Sequence, residues 1–327
     1  MSDNVQDAWA QGIAPDVSIV VPIYNEEDSV TPLYEAIVAA LDPMERSFEI
    51  LFVDDGSKDA SIPRAAALAE ADPRLMIVQF QRNQGQTAAM HAGIEHARGR
   101  YIVTMDGDLQ NDPADIPMML NKLTEGYDLV VGWRMNRQDK FLSRKLPSKL
   151  ANRLIGRVTG LPIRDNGCSL KVYRADVIQK VPLYSDMHRF IPAMTIPIGA
   201  RIAEVGVRHH ARQFGESKYG LSRIFKVLLD LLVVKTLLHF ARRPLASFVN
   251  VALLLAIAAL LSALFIGPAA GGSEVVGMTV AGLLAMVAVF LFLCGVITML
   301  AFRNKAVLDE TREVSAVISV PSRLGGS

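Results

Sequence analysis

From residue 17 to residue 133 the chain alternates short, almost continuously apolar runs with longer stretches whose apolar positions recur at helical spacing. The runs VSIVVPIY (17–24), FEILFVDD (48–55), LMIVQF (75–80), YIVTMD (101–106) and DLVVGW (128–133) predict strands. Their lack of in-and-out alternation predicts burial on both faces, as in a parallel sheet. The segments near 28–41, 59–71, 85–98 and 113–124 predict helices between them. This βαβα rhythm predicts an α/β fold, a Rossmann-like open sheet with helices on both faces. In such sheets ligands bind beyond the carboxyl ends of the strands.

The pattern changes after residue 133. A basic stretch, WRMNRQDKFLSRKLPSKLANRLIGR (133–157), leads into DNGCSLKVYRADV (165–177), DMHRFIPAM (186–194), a strand-like RIAEVGVRHH (201–210) and ARQFGESKYG (211–220). Segment 221–243 is mostly apolar, with Arg223, Lys226 and Asp230 along one helical face, and predicts a juxtamembrane helix lying among membrane lipid headgroups. Two nearly charge-free runs follow, at 246–266 and 277–302, each long enough as a helix to cross roughly 30 Å of hydrocarbon. Arg242 and Arg243 precede the first run, Arg303 and Lys305 follow the second, and GPAAGGSEVV (267–276) between them holds no Lys or Arg. The positive-inside tendency therefore predicts a multi-pass inner-membrane hairpin with both chain ends in the cytoplasm.

The predicted organisation is a flexible, polar N-terminus (1–16), a catalytic domain (17–220), the juxtamembrane helix (221–243), the two-helix hairpin (246–302) and a cytoplasmic tail (303–327). Composition adds three restrictions. A formal charge of +1 over 327 residues gives no support for nucleic-acid binding. Two distant cysteines, Cys168 and Cys294, with no Cys/His cluster, argue against a disulfide framework or a zinc site. The polar residues 1–16 carry no apolar signal-peptide core.

The candidate chemistry sits at the strand ends. The first predicted strand stops at Tyr24-Asn25-Glu26-Glu27, the second at Asp54-Asp55-Gly56-Ser57 and the fourth at Asp106-Gly107-Asp108. Two carboxylates one residue apart repel each other unless a cation joins them. A hard divalent ion, Mg²⁺ or Mn²⁺, suits them, since it keeps waters and phosphate oxygens as its other ligands. Gln110 is close enough in sequence to assist. Such a metal would bridge a diphosphate, pointing to a nucleotide-activated donor. No G-x-x-x-x-G-K-[ST] loop is present, and no G-x-G-x-x-G follows the first strand. The acidic ends of the first two strands are the candidates for base and ribose contacts. Asp59 and Asp112 read more simply as helix caps.

VVPIYNEE, VDDGS and MDGDLQ, in this order, resemble the inverting GT-A glycosyltransferases of family 2. MHRFIPA, RQFGESKYG and the trailing hairpin narrow the resemblance to the polyprenyl-phosphate glycosyltransferases. That subgroup includes dolichol-phosphate mannose synthase, undecaprenyl-phosphate glucosyltransferases and the aminoarabinose transferase of lipid A modification. The resemblance implies a GT-A fold and a metal-dependent transfer of sugar from a nucleotide-sugar donor to a polyprenyl phosphate. It implies nucleotide-sugar contacts from Pro22, Tyr24, Asn25, Glu26, Asp54 and Asp55, and a metal held by Asp106 and Asp108 with Gln110 beside them. It further implies Arg134 and Arg137 near diphosphate or lipid phosphate, Arg212, Ser217 and Lys218 at the lipid phosphate, and Asp165 as the acidic candidate near the sugar, either a base or a structural group.

Two departures stand out: the metal motif is Asp-Gly-Asp rather than Asp-Ala-Asp, and the usual Pro-Pro-Glu reads Asp112-Pro113-Ala114. The Gln-x-x-Arg-Trp signature of processive polysaccharide synthases is missing, and Trp9 and Trp133 lie in other contexts. A UDP-sugar with undecaprenyl phosphate is the favoured pair, with GDP-mannose as the alternative donor. A transferase acting on a glycan or protein hydroxyl, or a non-catalytic nucleotide-sugar-binding membrane subunit, is the alternative function. The spans leave room for homo-oligomerisation.

Overall fold

The computed structural model describes residues 14–135, 146–181, 183, 187–211, 231, 233, 235–236, 244–266 and 274–318. The chain forms two compact units, Met1–Lys235 and Thr236–Ser327.

The first unit is built on a seven-stranded sheet. Its elements are β1 (Val17–Ile23), α1 (Glu27–Leu41), β2 (Phe48–Asp54), α2 (Ser61–Ala71), β3 (Leu75–Gln79), α3 (Gln86–His96), β4 (Tyr101–Thr104), α4 (Ile116–Thr124), β5 (Leu129–Arg134), α5 (Leu146–Thr159), β6 (Lys171–Arg174), α6 (Ala175–Ile178), α7 (Ile191–Met194) and β7 (Ile202–Val207). Strand order is β3-β2-β1-β4-β6-β5-β7. β1 lies parallel between β2 and β4, in register from Val17 opposite both Phe48 and Tyr101. Every strand is parallel to β1 except β6, which is antiparallel to both β4 and β5. All five strands predicted from residues 17–133 form, and so does one in the strand-like 201–210 segment.

β6 escapes prediction because it is four residues long and begins with a lysine. Its insertion makes the sheet mixed and separates β4 from β5, while the five strands of the apolar runs stay parallel to one another. The apolar strands still obey the expected logic. Val17, Ile19, Val21 and Ile23 of β1 pack with Val30, Leu33 and Ile37 of α1 and Ile116, Met119 and Leu120 of α4. Val20 faces the other layer, with Leu51, Val53 and the α3 residues Ala89, Met90 and Ile94. A strand covered on both faces must be apolar at every position, and each such side chain contributes about 1.5–3 kcal/mol of burial.

In the second unit, α8 (Pro244–Leu261) continues into a π-helical turn (Ser262–Ile266), and α9 (Glu274–Ile318) packs against α8. A Cβ on Gly295 would lie 2.8 Å from Phe248 Cβ, so a glycine there lets the two helices approach. Leu245–Phe265 and Val275–Leu300 are long and apolar enough to span a bilayer. Their large side chains point outward, with Leu254, Phe265, Met286 and Ile297 each about two-thirds exposed, unlike a helix at the core of a soluble protein. The predicted juxtamembrane helix falls outside the described residues except at Leu231, Val233, Lys235 and Thr236, which are helical.

Candidate active site

Because β1, β2, β4, β5 and β7 run the same way, their carboxyl ends meet along one edge, and the residues following them form the candidate site. The β1 and β2 ends knit together first. Asn25 adopts the left-handed conformation (φ 53°), its Oδ1 accepts from the Lys58 N–H at 2.8 Å, and its own N–H donates to Ser57 Oγ at 2.9 Å. The Glu26 N–H donates to Ser61 Oγ at 2.9 Å, and Ser29 Oγ donates to Glu26 Oε2 at 3.2 Å. Pro22 and Tyr24 are half-buried beside them.

Asp54 is fully buried and accepts from the Ser57 N–H at 3.1 Å. Asp55, 3% exposed, accepts from the backbone N–H groups of Gln84, at 2.6 Å, and Gly85, at 2.9 Å. Burial pushes the Asp55 carboxyl above its ordinary value, the two N–H donors oppose this, and neighbouring Asp54 adds to it. Gly56 between Asp55 and Ser57 has φ +77°, and a Cβ there would meet the Arg82 carbonyl carbon at 2.7 Å, so this turn admits only glycine.

After β4 the chain turns through Asp106-Gly107-Asp108. Asp106 is half-buried and accepts from Gln86 Nε2 at 2.6 Å, while buried Asp108 accepts from the Gln110 N–H at 3.2 Å. A Cβ on Gly107 would sit 3.0 Å from Ile23 Cγ2 and 3.1 Å from the Pro22 carbonyl oxygen. That crowding against β1 accounts for glycine in place of alanine in the motif. Leu109 takes φ +59°, an uncommon conformation for a bulky residue, and its side chain packs on the core. Among the described residues no group of three or more His, Cys, Asp or Glu side chains converges as a complete metal site. Two carboxylates on a half-open turn fit a hard divalent ion that takes its remaining ligands from water and phosphate, and do not fit a closed structural site.

Behind the carboxylates lies a second charged layer. Arg134, at the end of β5, donates from Nε to Asp165 Oδ2 at 2.6 Å and from Nη2 to Oδ1 at 2.9 Å, both side chains being nearly buried. Burial works against the Arg134 charge, but the hydrogen-bonded Asp165 outweighs it and holds the guanidinium above its ordinary value. Lys171, the first residue of β6, is 2% exposed, pairs in register with Thr104 and donates from Nζ to the Cys168 carbonyl. Burial pulls its ammonium below the ordinary value, against the attraction of Cys168, Asp106 and Asp165.

The segment leaving β7 closes the far side. Arg208 donates from its backbone N–H to Asp115 Oδ2 at 2.6 Å and from Nε to Asp115 Oδ1 at 2.9 Å, and its Nη1 lies 3.1 Å from Asp112 Oδ2. His210 Nε2 lies 3.2 Å from the same Asp112 oxygen. Asp112 also caps the short turn Pro113–Asp115 through the Ala114 N–H, which supports the cap reading of this residue. The cap reading of Asp59 is corrected: the N-cap of α2 is Ala60, and Asp59, one residue earlier, accepts from the Ser61 N–H and hydroxyl.

The structure thus gathers Pro22, Tyr24, Asn25, Glu26, Asp54, Asp55, Asp106, Asp108, Gln110, Arg134 and Asp165 on the carboxyl-end side of the sheet. Arg137, Arg212, Ser217 and Lys218 lie outside the described residues. Gln86, Lys171 and Arg208 went unread in the sequence: Gln86 and Arg208 find carboxylate partners 20 and 93 residues away, and Lys171 is buried only by the pairing of β6 with β4 and β5. His188, inside MHRFIPA, is buried with Nδ1 2.7 Å from Thr87 Oγ1, one residue beyond the Gln86 that holds Asp106.

An open α/β sheet with an Asp-x-Asp turn at the end of a central strand and acidic ends on two neighbouring strands defines a GT-A nucleotide-diphospho-sugar transferase. The chain belongs to glycosyl transferase family 2, whose family model matches residues 18–181. It is 51% identical over 256 residues to the dodecaprenyl-phosphate galacturonate synthase of Rhizobium johnstonii, covering 77% of this chain and 76% of that one. It is 43% identical over 222 residues to the undecaprenyl-phosphate 4-deoxy-4-formamido-L-arabinose transferase of Shewanella sediminis, covering 67% and 66%. The crystal structure of glucosyl-3-phosphoglycerate synthase from Mycobacterium tuberculosis with Mn²⁺, UDP and phosphoglyceric acid shares the fold. Its TM-score is 0.55 at 17% identity, over 71% of this chain and 82% of that one.

Proposed function

We propose that this protein is a membrane-anchored, inverting glycosyltransferase that moves a sugar from a nucleotide-sugar, a UDP-sugar in the first instance, to undecaprenyl phosphate or a related polyprenyl phosphate. The carrying observation is the convergence of the β1, β2 and β4 ends in a chain whose relatives act on dodecaprenyl and undecaprenyl phosphate. The apolar hairpin supports a lipid acceptor, because it would keep the catalytic unit at the surface where such an acceptor resides. The flanking Arg242, Arg243, Arg303 and Lys305 support an inner-membrane topology with the catalytic unit and both ends in the cytoplasm.

In this reading Pro22, Tyr24, Asn25, Glu26, Asp54 and Asp55 receive base and ribose. Asp106 and Asp108, with Gln110 nearby, would hold Mg²⁺ or Mn²⁺, which when bound neutralises charge on the leaving diphosphate. Mn²⁺ and UDP together in the fold neighbour support that assignment. A phosphate oxygen of the lipid attacks the anomeric carbon, the bond to the nucleoside diphosphate breaks with its electron pair, and the configuration inverts. The acceptor is already ionised near neutral pH, so the chain's main contribution is alignment and charge stabilisation rather than proton removal. Asp165, committed to Arg134, then acts chiefly by fixing that guanidinium near the phosphates. Turnover lost in Asp165→Asn but regained at higher pH would instead restore a base role. Arg137, Arg212, Ser217 and Lys218 are assigned to the lipid phosphate by resemblance.

The deciding experiment incubates membranes containing the full chain with radiolabelled UDP- and GDP-sugars, polyprenyl phosphate and Mn²⁺ or Mg²⁺. Label entering a lipid-linked product from a UDP-sugar is the expected result. Label entering only a glycan or protein, or no label transferred from any donor, overturns the proposal.

A further inference from the structure

The MHRFIPA motif has no task in the proposed reaction, yet its histidine reaches the carboxylate side of the site. His188 lies in the single turn Met187–Arg189 and is 7% exposed. Its Nδ1 shares a hydrogen bond of 2.7 Å with Oγ1 of Thr87, itself 3% exposed. Thr87 is the second residue of α3, and the residues just before it face the acidic strand ends. Gln86 donates from Nε2 to Asp106 Oδ1 at 2.6 Å, and the backbone N–H groups of Gln84 and Gly85 donate to Asp55. Residues 84–87 therefore join two acidic strand ends to a histidine 101 residues further along the chain.

The remainder of α3 is seated by apolar contact. Its buried face continues through Ala89, Met90, Gly93 and Ile94, and a Cβ on Gly93 would collide with Val20, so the helix lies hard against β1. Such contact is non-directional: it fixes the height of the helix over the sheet and only weakly its shift along its own axis. The amide–carboxylate bond from Gln86 is directional and sensitive to that shift. We infer that His188 is a positioning residue: by holding Thr87 it sets the first turn of α3, and through that turn the grip of Gln86 on Asp106. This inference rests on the proposed divalent metal at Asp106 and Asp108. Breaking the Thr87–His188 bond weakens Mn²⁺ binding, whereas a bond of purely structural value would lower stability alone.

The test uses the full chain in detergent or nanodiscs. It reads Mn²⁺ affinity by titration calorimetry at saturating UDP, and the unfolding midpoint of the metal-free protein. Gln86→Leu, which removes the direct partner of Asp106, should weaken Mn²⁺ binding roughly 10–100-fold, and Thr87→Val and His188→Phe, one step further out, roughly 3–20-fold. Thr87→Ser, which keeps the hydroxyl, should stay within about twofold of wild type. Thr87→Val/His188→Phe replaces both partners by apolar groups of similar shape, so it should regain the unfolding midpoint that either single variant loses while Mn²⁺ binding stays weak. Thr87→Val added to Gln86→Leu should cost less than about twofold more, because the grip it acts through is already gone. Wild-type Mn²⁺ affinity in Thr87→Val or in His188→Phe overturns the inference, and so does a fully additive loss in the Gln86→Leu background. A wild type that binds Mn²⁺ with UDP but transfers no sugar to polyprenyl phosphate overturns the proposed function, while these affinity ratios still decide the inference. A wild type that binds no Mn²⁺ overturns the metal assignment and the inference with it.

Discussion

Arg134 and Asp165, which lie 31 residues apart in sequence, meet in a two-pronged ion pair with donor–acceptor distances of 2.6 and 2.9 Å. Side-chain exposures of 13% and 10% place the pair in the interior, where removing one partner strands the other charge. Arg134→Met should therefore destabilise the catalytic unit by about 3–5 kcal/mol, and the Arg134→Met/Asp165→Leu double variant by distinctly less. Denaturant titration of the single and double variants checks this. A double-variant loss equal to the sum of the Arg134→Met and Asp165→Leu losses would mean that the pair is not coupled.

Asp106→Ala and Asp108→Ala should each abolish transfer and weaken Mn²⁺ binding while the apolar hairpin remains membrane-inserted. Carbonate-resistant membrane association alongside the transfer assay separates the two effects. An active Asp108→Ala protein would remove the metal assignment.

Gly107→Ala tests the crowding under the metal loop. Its methyl group would press on Ile23 and the Pro22 carbonyl at 3.0–3.1 Å, so the loop must shift by a few tenths of an ångström. The expected outcome is a stability loss of about 1–3 kcal/mol with weaker Mn²⁺ affinity, despite the mildness of the substitution. Thermal unfolding and a Mn²⁺ titration measure both.

Cys168 makes stability fall at alkaline pH. Burial, and then the Asp165 charge, push its thiol from 9.0 up to about 11. Between those values the unfolded chain releases a proton that the folded chain keeps, so stability drops as pH rises through that window. The contribution is on the order of 2–3 kcal/mol by the upper end, partly offset below 10.5 by Lys171, whose lowered value acts in the opposite direction. Denaturant unfolding of wild type and Cys168→Ala at pH 8.5 and 10.5 should show a shallower pH slope for the variant. Comparing slopes sets aside the small cavity that the substitution leaves.

The strand ends were legible because their signal is local. An apolar run followed at once by Asp54-Asp55 or Asp106-Gly107-Asp108 carries its own position in an open sheet, and a long uncharged helix declares itself by composition. The charged layer beneath was not legible in this way. Lys171 in KVYR reads as a solvent-exposed lysine until β6 is inserted between β4 and β5, which buries it beside Thr104. Gln86 resembles any polar residue at a helix start until α3 lies along the sheet and its amide reaches Asp106, 20 residues away. Arg208 sits 93 residues from Asp115. Asp112, read in the sequence as a helix cap, is in addition the partner of Arg208 and His210.

The sequence by itself determined the strand and helix rhythm, the acidic strand ends and the two apolar spans, because periodicity, turn chemistry and hydropathy act over a few neighbouring residues. Only the tertiary structure decided the reversed strand β6, the Arg134–Asp165 pair, the hold of Gln86 on Asp106 and the contacts of Arg208 with Asp112 and Asp115. Those depend on strand order and register, which bring together groups too far apart in the chain for any local pattern to link.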